Sequence, residues 1–311
     1  MRVAVVDIGT NSTRLLVADV DGSGHVTELE RRTTITRLGQ GVDASGRLSD
    51  EAIGRVTAAL DAYRAAIDRH GAERTVAVLT SAVRDAANGG EFTARVRDEY
   101  GLDARSIPGT EEAQLTFLGA TSERDGSGDP GPVVVIDIGG GSTEFVVGSG
   151  GAVTFFVSAQ VGVVRHTERH IHNDPPRPEE LDALAADARS VIEAEVPEDV
   201  RASTRAAIAV AGTATSLAAI DQELEPYDPS LVHGYRVTEE ACRRMLARLA
   251  SIDEAERRRV PGLHPDRAPT IVAGVVVLLE AMRAFGLSEV EVSEHDILHG
   301  AALRAAAAEA A

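Results

Sequence analysis

Lysine and tryptophan are both missing from this 311-residue chain, cysteine occurs once, and aromatic residues make up only 3% of it. Without lysine, a P-loop ending in Gly-Lys-Ser/Thr cannot be completed, because that motif needs the ammonium group at the phosphates. A single Cys242 excludes an internal disulfide framework, and its neighbours offer neither a nucleophile nor a zinc pattern. It reads as a small buried apolar residue on a helix. Positive charge is scarce as well: 31 basic residues, all arginine, face 49 acidic ones for a formal charge of −18. Such a field repels duplex DNA, RNA and anionic membranes, so neither nucleic acid nor membrane is expected as a partner. A polyanionic ligand needs a local basic pocket, and arginine grips phosphate with two donors at once. Long apolar runs are also lacking, since Ile271 to Leu279 is too short to span a bilayer. The chain opens directly into Arg2-Val3-Ala4-Val5-Val6, and a cytoplasmic location is expected.

Several catalytic signatures are absent too. No nucleophile elbow and no kinase signature set occur. A dinucleotide fingerprint fails because each glycine turn leads into a strand where that motif needs a helix.

What is present is an ordinary folded composition, 43% hydrophobic and 26% charged, at a length that suggests about two domains. Self-comparison gives the clearest signal. The segment from Val3 to Val17, with Asp7-Ile8-Gly9-Thr10-Asn11-Ser12-Thr13 at its centre, recurs from Val133 to Val147 around Asp137-Ile138-Gly139-Gly140-Gly141-Ser142-Thr143, at a constant offset of 130 residues. Each copy is a β-branched strand, a turn and a second β-branched strand, which is a hairpin pattern. Two equivalent lobes are implied. Elsewhere helices and strands alternate, as in an α/β protein.

Ser49 suits the N-cap of a helix striped by Ile53, Val56, Leu60, Tyr63 and Ile67 and stopped by Gly71. Thr75 to Thr80 reads as a strand, and Thr110 as the cap of a helix through Ala120. Ser122 to Pro132 reads as a linker and the lobe boundary. In the second half, Pro178 opens a helix, and Ala206 to Val210 is a strand running into the turn Ala211 to Ser216. Further helices are expected over Glu239 to Leu249, Ile271 to Phe285 and Ile297 to Ala310. Ser251 to Arg259 reads as a solvated charged face.

A glycine-rich turn lets backbone approach an anion and offers it a nest of N–H groups. Gly139, Gly140, Gly141 and Ser142 are the stronger candidate, while Asn11 and Ser12 supply side-chain donors. The plain alternative is a hairpin turn that needs positive φ, but two copies, each preceded by a strand-terminal Asp, reverse that preference. Asp137 and Glu144 sit on the two arms of one hairpin, so both carboxylates can face its tip. Such oxygen donors suit Mg²⁺ better than zinc, and Asp7 could hold a metal-bound water across a cleft. Glu111 and Glu112 lie in the first turn of a helix, where the dipole favours acids and where a carboxylate could hold and deprotonate water. Arg14 and Arg84 could bind phosphoryl oxygens bidentately. His166 and His170 stand at i, i+4 but lack the zincin order and a third ligand, so a polar helix ahead of Pro175-Pro176 is the better reading.

Asp7-Ile-Gly-Thr-Asn-Ser, Thr80-Ser-Ala-Val-Arg-Asp-Ala86, Gly109-Thr-Glu-Glu-Ala113, Val135-Ile-Asp-Ile-Gly-Gly-Gly-Ser-Thr-Glu144 and Ala211-Gly-Thr213 stand in the order seen in the Ppx/GppA phosphatases. Over essentially its whole length the chain resembles these exopolyphosphatases and guanosine pentaphosphate phosphohydrolases of the actin-like, ribonuclease-H-like superfamily. The resemblance implies two actin-like lobes facing across a cleft, domain I over 1–124 and domain II over 125–311, and leaves open whether the helix 297–311 joins domain I. It implies Glu112, with Glu111 beside it, as the catalytic base, and Asp137 and Glu144 as residues serving Mg²⁺, with Mn²⁺ as an alternative and Asp7 the further metal candidate from the residue reading above. Phosphate binding falls to Asn11, Ser12, Arg14, Arg84, Gly139, Gly140, Gly141, Ser142, Thr143, Gly212 and Thr213. Gln114 stands where the family often has Arg.

With no long C-terminal extension, the chain resembles the short two-domain form, and shorter polyphosphates are expected as substrates. Guanosine pentaphosphate hydrolysis and non-catalytic alarmone sensing are the alternatives. The scarcity of aromatics, with no evident guanine sandwich, favours inorganic polyphosphate. A homodimer is expected by analogy.

Overall fold

In the computed structural model, which describes residues 1–123 and 131–310, the chain divides into two compact units, Met1–Arg124 with His295–Ala311, and Asp125–Glu294. Except at its ends, the expected linker Ser122 to Pro132 lies outside the described residues.

The first unit is built on strands β1 (Arg2–Ile8), β2 (Ser12–Val20), β3 (Val26–Ile35), β4 (Arg74–Leu79) and β5 (Asp103–Ser106), in the order β3-β2-β1-β4-β5. The first three pair antiparallel, and β1, β4 and β5 run parallel. The central strands are apolar throughout because both faces are covered. On one face Ala4, Val6, Ile8, Leu15 and Val17 pack against the helix Asp50–His70 through Val56, Leu60, Tyr63 and Ile67. That helix is bounded as its sequence requires, since the Ser49 side chain accepts from Ala52 N–H at 3.2 Å and Gly71 closes it at φ 63°.

The other face, Val3, Val5, Leu16 and Ala18, is covered by the helix Ile297–Ala310. Burying Ile297 and Leu298 there contributes about 1.5–3 kcal/mol each. This helix crosses the helix Gly109–Thr121 at two glycines. A Cβ on Gly300 would lie 1.8 Å from Leu115 O, and one on Gly119 would lie 1.9 Å from Asp296 O. The terminal helix therefore reaches its seat only where side chains are absent. Side chains alternate along β1, so Asp7 shares the face of Val3 and Val5, the face this helix covers.

The second unit repeats the plan with β6 (Val133–Ile138), β7 (Thr143–Ser149), β8 (Ala152–Ala159), β9 (Ala206–Val210), β10 (Arg236–Thr238) and β11 (Glu289–Val292). Its order, β10-β11-β9-β6-β7-β8, contains the same five-strand arrangement with β10 added at one edge. Val134, Ile136, Phe145 and Val147 join a core with Leu184, Ala188 and Ile192 of the helix Pro178–Glu195 and with the helix Ile271–Phe285. Among the described residues no helix is long and apolar enough to cross a membrane.

Three local expectations are corrected. Pro108, not Thr110, caps the helix Gly109–Thr121, because Glu111 and Glu112 N–H both donate to Pro108 O at 3.0 Å. Ala211 to Ser216 is no turn but the start of the helix Ala211–Asp221. The charged stretch after Ser251 is not wholly solvated. Arg257 is 5% exposed and donates to Leu249 O, Ile252 O and Asp174, which consumes donors that burial would otherwise orphan.

Candidate active site

The two hairpin tips have one geometry. Gly9 N–H donates to Ser12 O at 2.9 Å, and Gly139 N–H donates to Ser142 O at 2.9 Å. Among the described residues, the glycines at positive φ include none from either tip. Close approach, not left-handed backbone, is what these glycines serve. A Cβ on Gly139 would lie 3.1 Å from Ser142 O, and one on Gly162, directly beneath the turn, only 2.4 Å from Gly140 O. The helix Val163–His170 begins there and consumes the turn's carbonyl oxygens: Val163 N–H donates to Gly139 O at 2.9 Å, Val164 N–H to Gly140 O at 2.9 Å, and Arg165 N–H to Gly140 O at 3.1 Å. Arg165 Nε adds a bond to Gly141 O at 2.9 Å. With its acceptors engaged in this way, the turn presents donors, as an anion requires.

The arms of the two hairpins differ where it matters most. In the first, Asp7 lies directly opposite Arg14. Arg14 Nε and Nη2 contact Asp7 Oδ2 at 2.9 and 2.8 Å, and Nη1 binds Asp296 at the head of the terminal helix. In the second, Asp137 lies directly opposite Glu144, two carboxylates on one face of the sheet. Glu144 Oε1 accepts from Ser142 Oγ at 2.7 Å and Ser158 Oγ at 2.6 Å. Opposed like charges destabilise a strand pair by a few tenths to about 1 kcal/mol unless a cation joins them. The donor set is all oxygen, which fits a hard divalent ion.

Arg14 thus departs from the expected phosphate contact. Its guanidinium is engaged between two carboxylates of its own unit. Burial raises the Asp7 carboxyl above its ordinary range, with Arg14 opposing, and Asp7 Oδ1 has no hydrogen-bond partner among the described residues. At Asp296 burial also works against ionisation, but Arg14 and Arg31 outweigh it and hold that carboxyl low.

Glu112 and Glu111 part company. Glu112, 22% exposed in its side chain, receives Arg84 Nη1 at 3.2 Å, and the same Arg84 nitrogen donates to Ile107 O at 3.1 Å. Glu111 is bound by Arg304 of the terminal helix at 2.9 Å and by Arg105 at 2.9 Å. Its carboxylate pins that helix to its own.

Thr143 is expected at phosphate as well. It is fully buried, and its hydroxyl donates to Val161 O at 2.6 Å, on the opposite side of the strand from Ser142 and Glu144. Asn11 is exposed at the first tip and Ser12 half-buried, while Asn11 O accepts from Thr36 and Arg37 N–H. Thr213 is buried in the first turn of its helix, beside Gly274. Gly212 lies directly under Arg267, for a Cβ there would fall 1.8 Å from its guanidinium carbon. Ala211 before it holds φ 62°, a left-handed strain of about 1 kcal/mol or more for a non-glycine residue. No local sequence signal marks Gly162, Arg165 or Arg267, which belong to no repeated pattern.

Comparison with known proteins bears on this arrangement. The model of the Ppx/GppA phosphatase family matches residues 15–309. Exopolyphosphatase 2 of Mycobacterium tuberculosis is 40% identical over 97% of this chain and 98% of its own length. Exopolyphosphatase 1 of Mycobacterium bovis is 32% identical over 98% of this chain and 88% of its own. Among solved structures, the Aquifex aeolicus member of the Ppx/GppA family superposes with a TM-score of 0.86 at 32% identity, covering 99% of this chain and 98% of that one.

Proposed function

The chain belongs to the Ppx/GppA phosphatase family, and from that premise we propose that it is an exopolyphosphatase that hydrolyses the terminal phosphoanhydride of inorganic polyphosphate and releases orthophosphate. The observation that carries the reading is the opposed pair Asp137 and Glu144 beside a donor-presenting glycine turn, at the place where the duplicate hairpin has the neutralised pair Asp7 and Arg14. Where the first hairpin carries an ion pair, the second carries two carboxylates suited to a cation.

The two units are taken as the two domains, and each residue has its task. The N–H groups of the Gly139 to Ser142 turn bind phosphoryl oxygens, and Gly212 and Thr213 at a helix start do the same. Asp137 and Glu144 would hold a divalent ion, proposed as magnesium, with Ser142 and Ser158 fixing the Glu144 carboxylate. When bound there, that ion supplies neutralisation of phosphoryl charge. Glu112 orients a water molecule and accepts its proton on a carboxylate oxygen as the new P–O bond forms. The anhydride P–O bond breaks in the same in-line displacement, its electron pair leaving on the bridging oxygen of the shortened chain, and orthophosphate is released. Phosphoryl transfer passes through a loose transition state that needs positioning more than a strong base, so a carboxylate suffices. Arg84, 3.2 Å from Glu112, positions it and supplies charge for the phosphate chain.

The same reading extends to short polyphosphates, a cytoplasmic location and a homodimer, the last checked by light scattering. Its test is a phosphate-release panel on polyphosphates of defined length and on guanosine pentaphosphate, with Mg²⁺ and with EDTA. Metal-dependent release from polyphosphate is expected. Turnover of the guanosine compound alone, or release from neither, overturns the reading.

A further inference from the structure

The helix whose first N–H groups hold the glycine turn carries a second cluster of chemistry at its other end. His166 and His170, one helical turn apart in Val163–His170, face Asp187 of the helix Pro178–Glu195. The sequence offered two imidazoles with no third ligand, and the fold supplies it. His170 Nε2 lies 2.8 Å and His166 Nε2 3.6 Å from Asp187 Oδ2, and the three donor atoms all fall within 4.8 Å of one another. A tetrahedral ion bonded at ~2.0 Å needs donors ~3.3 Å apart, a value these two distances bracket.

His166 is the telling member. Its side chain is fully buried, and its Nε2, aimed at the cluster, has no hydrogen-bond partner among the described residues. Asp187 Oδ2 is already taken at 2.8 Å by both His170 and Arg169, so a third short contact to it is unavailable to His166. Buried polar atoms rarely go unmatched without a reason.

We propose that His166, His170 and Asp187 form a binding site for a borderline transition ion of the zinc class, with a fourth position left to water. Two imidazoles and one carboxylate select such an ion over magnesium. Asp187 and His170 are partly exposed, which gives an entry path, and Arg169, 49% exposed in its side chain, can yield Asp187 to the ion. Loading requires His166 to carry its proton on Nδ1, which now receives Gly162 N–H at 3.3 Å, slightly beyond the usual range for such a bond. Gly162 is also the residue pressed under Gly140 and Gly141. The site is separate from Asp137 and Glu144 and stands without the catalytic reading.

Cobalt is the probe, titrated into the full chain in millimolar Mg²⁺ so that the carboxylate pair is already served. One equivalent should bind with a visible d–d absorption, be displaced by zinc, and persist in Glu144→Gln. His170→Ala and Asp187→Asn, both at partly exposed positions, should each weaken binding at least tenfold while far-UV circular dichroism stays native. Absence of the band in the wild type, or equal affinity in the folded His170→Ala and Asp187→Asn variants, overturns the proposal.

Discussion

Glu144→Gln isolates the opposed carboxylates with almost no change of shape. The amide keeps an Oε1 acceptor for Ser142 and Ser158, which donate at 2.7 and 2.6 Å, so the local network survives. What disappears is one negative charge directly opposite Asp137. Without divalent ions the wild type carries like-charge repulsion of roughly 0.2–1 kcal/mol across this pair, and the variant should be more stable by that amount. At a divalent concentration of 100 Kd the wild type gains about 2.7 kcal/mol from binding, whereas the variant, with half the ligand charge, gains little. The order of stability therefore inverts, by about 2 kcal/mol in favour of the wild type. Because the chain has no tryptophan, far-UV circular dichroism is the practical signal. At about 2–4 °C per kcal/mol for a unit of this size, thermal melts in EDTA and in Mg²⁺ resolve both signs. A variant less stable than wild type in EDTA, or equal stabilisation of both proteins by Mg²⁺, would refute the cation seat.

Other consequences follow from the same geometry. Gly162→Ala drives a methyl into Gly140 and Gly141 and should cost about 1–3 kcal/mol while greatly reducing phosphate release, which urea unfolding and a release assay measure together. Gly300→Ala forces the terminal helix off Leu115 O and should cost a similar amount, seen as increased proteolysis of the C-terminal helix. Asp296→Asn removes one of the two carboxylates on Arg14, which keeps Asp7, and should cost about 1.5–3 kcal/mol at neutral pH. Because the folded Asp296 pKa lies below its ordinary 3.8, its contribution is present above that pH and lost as pH falls through the lower folded value. The gap between wild type and Asp296→Asn in urea midpoints should therefore narrow below about pH 4, and a gap that widens there contradicts the assignment.

The hairpins, their tips and the helix bounded by Ser49 and Gly71 were legible because each depends on residues close in sequence. The offset repeat even carried the crucial difference, Arg14 against Glu144, in plain view. Its meaning was hidden because Asp296, the other partner of Arg14, comes from a helix nearly the whole chain away. The contact of Glu111 with Arg304 is hidden for the same reason, since Arg304 lies in that helix. The buried place of Thr143 was legible, because alternation along a strand puts it on the opposite face from Ser142 and Glu144. Gly162 and Arg267 owe their places to close approach between distant segments, which leaves no local pattern.

Turnover by Glu112→Gln on polyphosphate in saturating Mg²⁺, with kcat and KM resolved separately, tests the catalytic assignment most directly. Loss of a positioned proton acceptor should lower kcat by about 10²–10⁴ with KM within a few-fold of wild type. A kcat within threefold of wild type would show that Glu112 does not take the proton from water.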